Sequence, residues 1–256
     1  MNSDWDISEC GAVEPALVRQ LFDNRIAAIR VPGFISEAAC ERSVEAITAA
    51  GFDYYEDVDP PIGRIGITQF ENRDEKSRYL ALASLANKAR TGIFLGLPDP
   101  FEQVWNALRS VWDAPVRLAA EPDGATYFAG LIRLINEALV HCDWAPHDAE
   151  RWAIGSITGQ IAWNVYLSLP AEGGETVVYD APWTEDAELY KSRENYGYAP
   201  KLVDGSRSVR ITPRRGELVL FNSRNMHAVA PASGGHRITI SSFIGRTAEG
   251  GLVLWS

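Results

Sequence analysis

The apolar positions keep a helical spacing through the first part of the chain and an alternating one through the second. Ala16, Leu17, Val18, Leu21 and Phe22 predict a helix, and Ile26 to Val31 reads as a short strand stopped by Pro32-Gly33. Ser36 is a good N-cap for a helix running to about Ala50. Pro60-Pro61 and Gly63 punctuate a less regular stretch. Helices are then predicted from Lys76 to Leu95 and from Phe101 to Trp112, the second with Phe101, Val104, Trp105, Leu108 and Trp112 on one face. From Ala125 onward strand patterns broken by glycine turns dominate, including Ile161 to Ser168, Gly216 to Phe221, Arg237 to Phe243 and Leu252 to Ser256. Trp183 to Tyr198 is the exception, a long loop in which Glu185 to Tyr190 suggests a short helix; loops of that length are often lids or binding elements. The expected class is α+β, mainly β with α, in one domain over residues 1–256: helix-rich support to about 120, and a β core over about 121–256.

Composition narrows the function classes. A chain of 256 residues, 46% hydrophobic and 23% charged, has ample material for a sizeable core. A net charge of −10 without a Lys/Arg cluster argues against nucleic acid as a partner. Three scattered cysteines are too few for a disulfide framework. No apolar run reaches transmembrane length, and the acidic start, Met1 to Asp6, lacks the basic and apolar regions of a signal peptide. A soluble, cytoplasmic protein with no membrane partner is the simplest expectation; the oligomeric state is not legible.

The chemistry concentrates in three places. His141 and Asp143 stand one residue apart, and in an extended strand residues i and i+2 point to the same face, so both can converge on one ion. His227, just after the strand pattern ending at Phe221, is the candidate third ligand. Two imidazoles and one carboxylate that leave other positions open are the facial triad of non-heme Fe(II) oxygenases. Farther on, Arg237 and Thr239 share a strand face; a guanidinium fork suits bidentate capture of a carboxylate, and the hydroxyl adds a donor. The other histidines fit less well: His147 reads as an exposed turn residue, and His236 should point away from Arg237.

With that set in order, the chain resembles the Fe(II)/2-oxoglutarate-dependent oxygenases, whose motif is His-x-Asp, a distant His, then Arg-x-Ser or Arg-x-Thr. The strand Ile161 to Ser168 with Gly173-Gly174-Glu175-Thr176, and the entry segment Ala27 to Ser36, are similar to the same superfamily. The resemblance implies a double-stranded β-helix (jelly-roll, cupin-like) core. It implies Fe(II) on His141, Asp143 and His227, 2-oxoglutarate with its distal carboxylate on Arg237, and O2 as second cosubstrate. Thr239, or Ser241 on the same face, would assist Arg237, and Asn164 and Tyr166 would add polar contacts to the cosubstrate.

Related radical halogenases have Gly or Ala where Asp143 stands, so hydroxylation, with release of succinate and CO2, is the expected reaction; desaturation and cyclisation would use the same triad. The full pattern looks most like small bacterial enzymes of free or N-substituted amino acids, a group that includes carrier-independent halogenases. A nucleoside, an alkaloid or another natural-product intermediate is the runner-up substrate. A prolyl-hydroxylase-like protein hydroxylase and a non-catalytic metal-binding jelly roll are the other readings. Glu121 and Asp123 are candidate partners for a cationic substrate. Arg133, a charge amid Leu131-Ile132 and Leu134-Ile135, reads equally as an edge-strand residue facing water or as part of the site. Trp163 reads as packing, whereas Trp144, Trp183 and Trp255 are open between core and pocket.

Overall fold

A computed structural model describes residues 5–56 and 58–256; the chain's first four residues lie outside it. Its strands are β1 (Ile7–Glu9), β2 (Ala28–Val31), β3 (Asp53–Tyr54), β4 (Gly63–Ile65), β5 (Val116–Leu118), β6 (Leu131–Leu134), β7 (Ala138–His141) and β8 (Gly159–Ser168). They continue with β9 (Glu172–Gly173), β10 (Thr176–Pro182), β11 (Ser208–Ile211), β12 (Leu218–Asn222), β13 (Asn225–Val229), β14 (Ala232–Ser233), β15 (Ile238–Arg246) and β16 (Leu252–Trp255). The helices are α1 (Pro15–Phe22), α2 (Glu37–Ala50), α3 (Lys76–Ile93), α4 (Pro100–Val111) and the single turn α5 (Ala145–Asp148).

The helices start where local chemistry dictates. Pro15 and Pro100 occupy first-turn positions, where no donor is lost. Ser36 Oγ accepts the Ala39 N–H at 3.3 Å and Asp99 accepts that of Phe101 at 2.9 Å, capping α2 and α4. The apolar faces of α1, α2 and α4 then bury Leu21, Ile47, Phe101 and Leu108 against the larger sheet.

That sheet runs β1-β2-β12-β8-β15-β6-β4-β3, with β16 and β5 attached beyond β15, and the smaller one runs β11-β10-β13-β7. Period-2 alternation along β8 separates its two faces. Ile161, Trp163, Val165 and Leu167 pack with the helices, while Ala162 and Tyr166 pack with Val178, Val219 and Phe221 between the sheets. The two facing sheets with helices behind one of them make the α+β jelly roll that the sequence resemblance implies. The helix-rich first part also contributes β1 to β5 to the larger sheet.

A buried ion pair ties β2 to the turn before β12. Arg30 donates through Nε and Nη2 to Glu217 at 2.9 and 2.8 Å, and through Nη2 to the Thr212 carbonyl at 2.9 Å. The Arg214 N–H adds a bond of 2.6 Å to Glu217, which is fully buried. Removing one partner of such a pair strands the other, so Glu217→Leu should cost about 3–5 kcal/mol in denaturant unfolding. The Arg30→Met/Glu217→Leu double variant should recover most of that loss, and a cost for Glu217→Leu below about 1 kcal/mol would mean that water reaches Arg30.

Candidate active site

His141 is the last residue of β7, and its register partner on β13 is His227. Directly opposed residues of an antiparallel pair project to the same face, so both imidazoles enter the space between the sheets, their ring centroids 4.2 Å apart. Asp143 reaches the same point by another route. The sequence expectation placed it on one strand with His141, but β7 ends at His141. The backbone of Asp143 is tied instead to the β12–β13 turn, by its N–H to the Ser223 carbonyl at 2.9 Å and by Ser223 Oγ to its own carbonyl at 3.1 Å.

The three groups converge. Asp143 Oδ2 lies 3.3 Å from His227 Nε2 and 3.9 Å from His141 Nε2, and one ligand atom from each residue falls within 4.8 Å of the others. Both Nδ1 atoms are committed, to the Leu139 carbonyl at 2.7 Å and the Asn225 carbonyl at 2.8 Å. A carbonyl can only accept, so each Nδ1 carries a proton and turns its Nε2 toward Asp143, the nitrogen left to ligate a metal; such partners orient metal-binding imidazoles. Burial, reinforced by the neighbouring His227 and opposed by Asp143, lowers His141 to about 4. Burial pushes the Asp143 carboxyl up, but the His227 hydrogen bond and the charges of His141, His227 and Arg133 together hold it well below the ordinary range. A neutral imidazole and an ionised carboxylate are the forms that ligate a divalent ion.

Deeper in the same cavity, the Arg237 guanidinium is almost fully buried. Its Nε donates to the Gly174 carbonyl at 3.1 Å, and its Nη2 donates to the Tyr166 and Thr176 hydroxyls at 3.2 and 3.1 Å. None of the described residues puts a carboxylate within ion-pair distance of it. Thr239 Oγ1 is buried without a partner, and Asn164 lines the cavity. An unpaired buried guanidinium beside an orphaned hydroxyl fits a bound carboxylate, since either group alone is costly to bury. Thr176 escaped the sequence reading of the arginine's partners. Its only signal was the adjoining Gly-Gly hairpin, where a side chain on Gly173 would run into the Pro231 carbonyl.

The other candidates sort clearly. Trp144 and Trp255 line the cavity, whereas Trp183 packs on His147 with centroids 4.3 Å apart. His147 is thus half-buried against the long loop and is not an exposed turn residue. That loop carries a 3-10 helix over Glu185–Tyr190. Its Glu188 accepts from Trp183 Nε1 at 2.9 Å and from the Tyr198 hydroxyl at 2.6 Å, and lies 3.5 Å from His147 Nε2. Tyr196 of the same loop stands edge-on to His141, and its hydroxyl accepts the Leu139 N–H at 2.8 Å. Glu121 cannot serve a substrate: its carboxylate is bonded to Lys76 at 2.7 Å, to the Ala153 N–H at 3.0 Å, and to the Tyr127 hydroxyl. Asp123 is occupied in a local turn, accepting the Ala125 N–H at 3.0 Å. No helix among the described residues is long and apolar enough to cross a membrane.

Comparison with known proteins decides the family, because the model of the carrier-protein-independent halogenase WelO5 matches residues 4–256. The chain belongs to that family. It is similar to the leucinostatins biosynthesis cluster protein S of Purpureocillium lilacinum, with 42% identity covering 80% of this chain and 90% of that one. It is also similar to the L-gamma-glutamyl-L-propargylglycine hydroxylase of Streptantibioticus cattleyicolor, with 32% identity covering 89% and 87%. In fold it is similar to an N-substituted L-amino acid dioxygenase of Burkholderia ambifaria solved with alpha-KG. The TM-score is 0.64 at 17% identity, over 94% of this chain and 90% of that one. The family member described here is an Fe(II)/2-oxoglutarate-dependent oxygenase.

Two measurements probe the site directly. Folded His141 titrates at about 4 and an exposed imidazole at about 6.5, so between those values the unfolded chain binds more protons. The metal-free protein should therefore be most stable above that window and lose on the order of 2 kcal/mol as pH falls through it, with Asp143 adding a loss at lower pH. His141→Asn should flatten the slope of urea midpoint against pH between 6.5 and 4.5; an unchanged slope would assign it elsewhere. Arg237→Met should weaken 2-oxoglutarate binding, measured by calorimetry, by roughly 30-fold or more.

Proposed function

We propose that this family member hydroxylates an unactivated C–H bond of a small molecule, a free or N-substituted amino acid, releasing succinate and CO2. The observation that carries the reading is the Asp143 carboxylate, 3.3 Å from His227 Nε2 inside a family named for halogenation. A carboxylate here fills the position that a halide would take in enzymes with Gly or Ala at this place. The hydroxylase name of a relative 32% identical supports the same choice of reaction, and its amino-acid-derived substrate supports the substrate class.

The residues divide the work. His141, Asp143 and His227 would hold Fe(II), and Arg237, with Thr239 and Tyr166 beside it, would hold the distal carboxylate of 2-oxoglutarate. Asn164, on the same face of β8 as Tyr166, is the further candidate for the cosubstrate. When bound with O2, iron and 2-oxoglutarate supply the oxidising power for C–H hydroxylation. The chain's own part is positioning and exclusion of water. The carbonyls of Leu139 and Asn225 lock both imidazoles, and Ser223 locks Asp143. The loop from Trp183 to Tyr198, fastened through Glu188 and His147, covers the side from which Tyr196 approaches His141. A cavity lined in part by this loop favours a small molecule over a protein segment, which would need an open groove.

The test is succinate release by the Fe(II)-loaded protein across a panel of free and N-substituted amino acids, with product masses read in parallel. A substrate-dependent rise with a product heavier by one oxygen is the expected outcome; a product lighter by two hydrogens would replace hydroxylation by desaturation or cyclisation. Asp143→Gly should lower turnover by on the order of 100-fold. Undiminished turnover in that variant would remove Asp143 from the metal site.

A further inference from the structure

Arg133 is the cavity's unexplained charge. It sits on β6, which pairs with β15 on one side and β4 on the other, so it is no edge-strand residue turned to water. Its register partners are Thr239 and Arg64, and Thr239 is paired in turn with Tyr166. The side chain lines the cavity, its Nε is buried without a hydrogen-bond partner, and no carboxylate of the described residues lies within ion-pair distance. Tyr55 and Tyr196, which belong to separate loops, line the cavity with it, while Arg237 is held by Gly174 and Thr176.

Charge balance points the same way. Of the described side chains lining the cavity, those of Arg133, Lys191 and Arg237 are cationic, and those of Asp143 and Asp148 are anionic. A divalent metal and the 2-oxoglutarate dianion cancel, so one positive charge remains. Asp148 already accepts the Trp144 N–H at 3.2 Å and has His147 within 4.0 Å and Lys191 in its field. Lys191 in turn lies over the Tyr198 ring at 4.2 Å. The unmatched cation is Arg133, half-buried with its Nε cut off from water, and such a charge without a counter-charge is costly.

We infer that Arg133 receives the free carboxylate of the substrate, and that the preferred substrate is a monoanion: an amino acid with a free carboxylate and a neutral, N-blocked amino group. This rests on the reading of the cavity as an amino-acid oxygenase site. A zwitterion would carry an ammonium into a cavity whose two carboxylates are already engaged and leave the surplus positive charge in place. An N-acyl amino acid brings the one negative charge required, and the planar fork of Arg133 can take it through two parallel hydrogen bonds.

The experiment is calorimetric titration of the full chain loaded with Mn(II), an inert stand-in for Fe(II), and 2-oxoglutarate. The probes are leucine, isoleucine, lysine and proline, each as the free amino acid, the N-acetyl amino acid and the N-acetyl amino amide. Wild type should bind at least one N-acetyl acid, with its amide weaker by at least about tenfold. Arg133→Gln should lose about that factor for the acid and nothing for the amide, with 2-oxoglutarate affinity held within about twofold; Arg133→Lys should retain part of the acid binding. Equal binding of acid and amide by wild type overturns the inference without using any variant. So does a loss of 2-oxoglutarate affinity in Arg133→Gln, which would give Arg133 to the cosubstrate, and so does tighter binding of free amino acids than of their N-acetyl forms. If no probe binds while 2-oxoglutarate does, the amino-acid reading fails and takes the inference with it. If 2-oxoglutarate itself does not bind wild type, the oxygenase assignment of this cavity is at fault.

Discussion

The pairing of β7 with β13, which sets His141 directly opposite His227, is the constraint on which the rest of the site depends. Side chains alternate along a strand, so a slip of one residue would turn one imidazole out of the space between the sheets. The register is held from both sides. β13 also pairs with β10, where Val178 faces His227, and past the end of β7 the Asp143 backbone is fastened to Ser223 in the turn that leads into β13. The turn that starts the strand bearing one imidazole therefore also fixes the carboxylate. One imidazole and the anchor of the carboxylate come from one connected piece of backbone, which gives a geometry more precise than mobile loops would.

The larger sheet gathers polar side chains in an analogous way. Its inner face places Tyr166, Thr239 and Arg133 side by side on β8, β15 and β6, and Arg237 enters at an irregularity between Ile238 and Thr239. That irregularity matters. In an even ladder each residue of β15 would oppose the next one of β8, whereas here the pairing on β8 jumps from Ser168 to Tyr166 between adjacent residues and leaves Leu167 as the extra one. A bulge re-aims side chains near active sites. Here it accompanies a guanidinium bonded to Tyr166 and Thr176 and a threonine hydroxyl buried without a partner.

Much of this was legible in the chain because the relevant signals are local or ordered. The helix starts at Pro15, Ser36 and Pro100, and the alternation of Ile161 to Leu167, follow from residue chemistry within a few positions. The motif from His141 to Thr239 was readable because residue type and order survive where distance in space cannot be seen. What escaped depends on long-range pairing. Nothing near Thr176 in sequence announces that its hydroxyl accepts from a guanidinium 61 residues away. Ser223 looks like any turn serine until its partner is known to be Asp143. The edge or interior status of Arg133 is a property of sheet order, which strand patterns alone do not contain.

The two cavity arginines show how sheet position converts the same side chain into different tasks. Arg237 has three neutral acceptors on its guanidinium, so it is pre-oriented and needs only a counter-charge. Arg133 has no hydrogen-bond partner at its buried Nε, so it remains free to turn toward whatever anion enters. A rigid fork suits a ligand of fixed length that must be held the same way in every turnover. A looser fork suits a variable ligand whose one constant feature is its carboxylate. Selectivity can then change through the residues around the looser arginine while the contacts of Arg237 stay as they are.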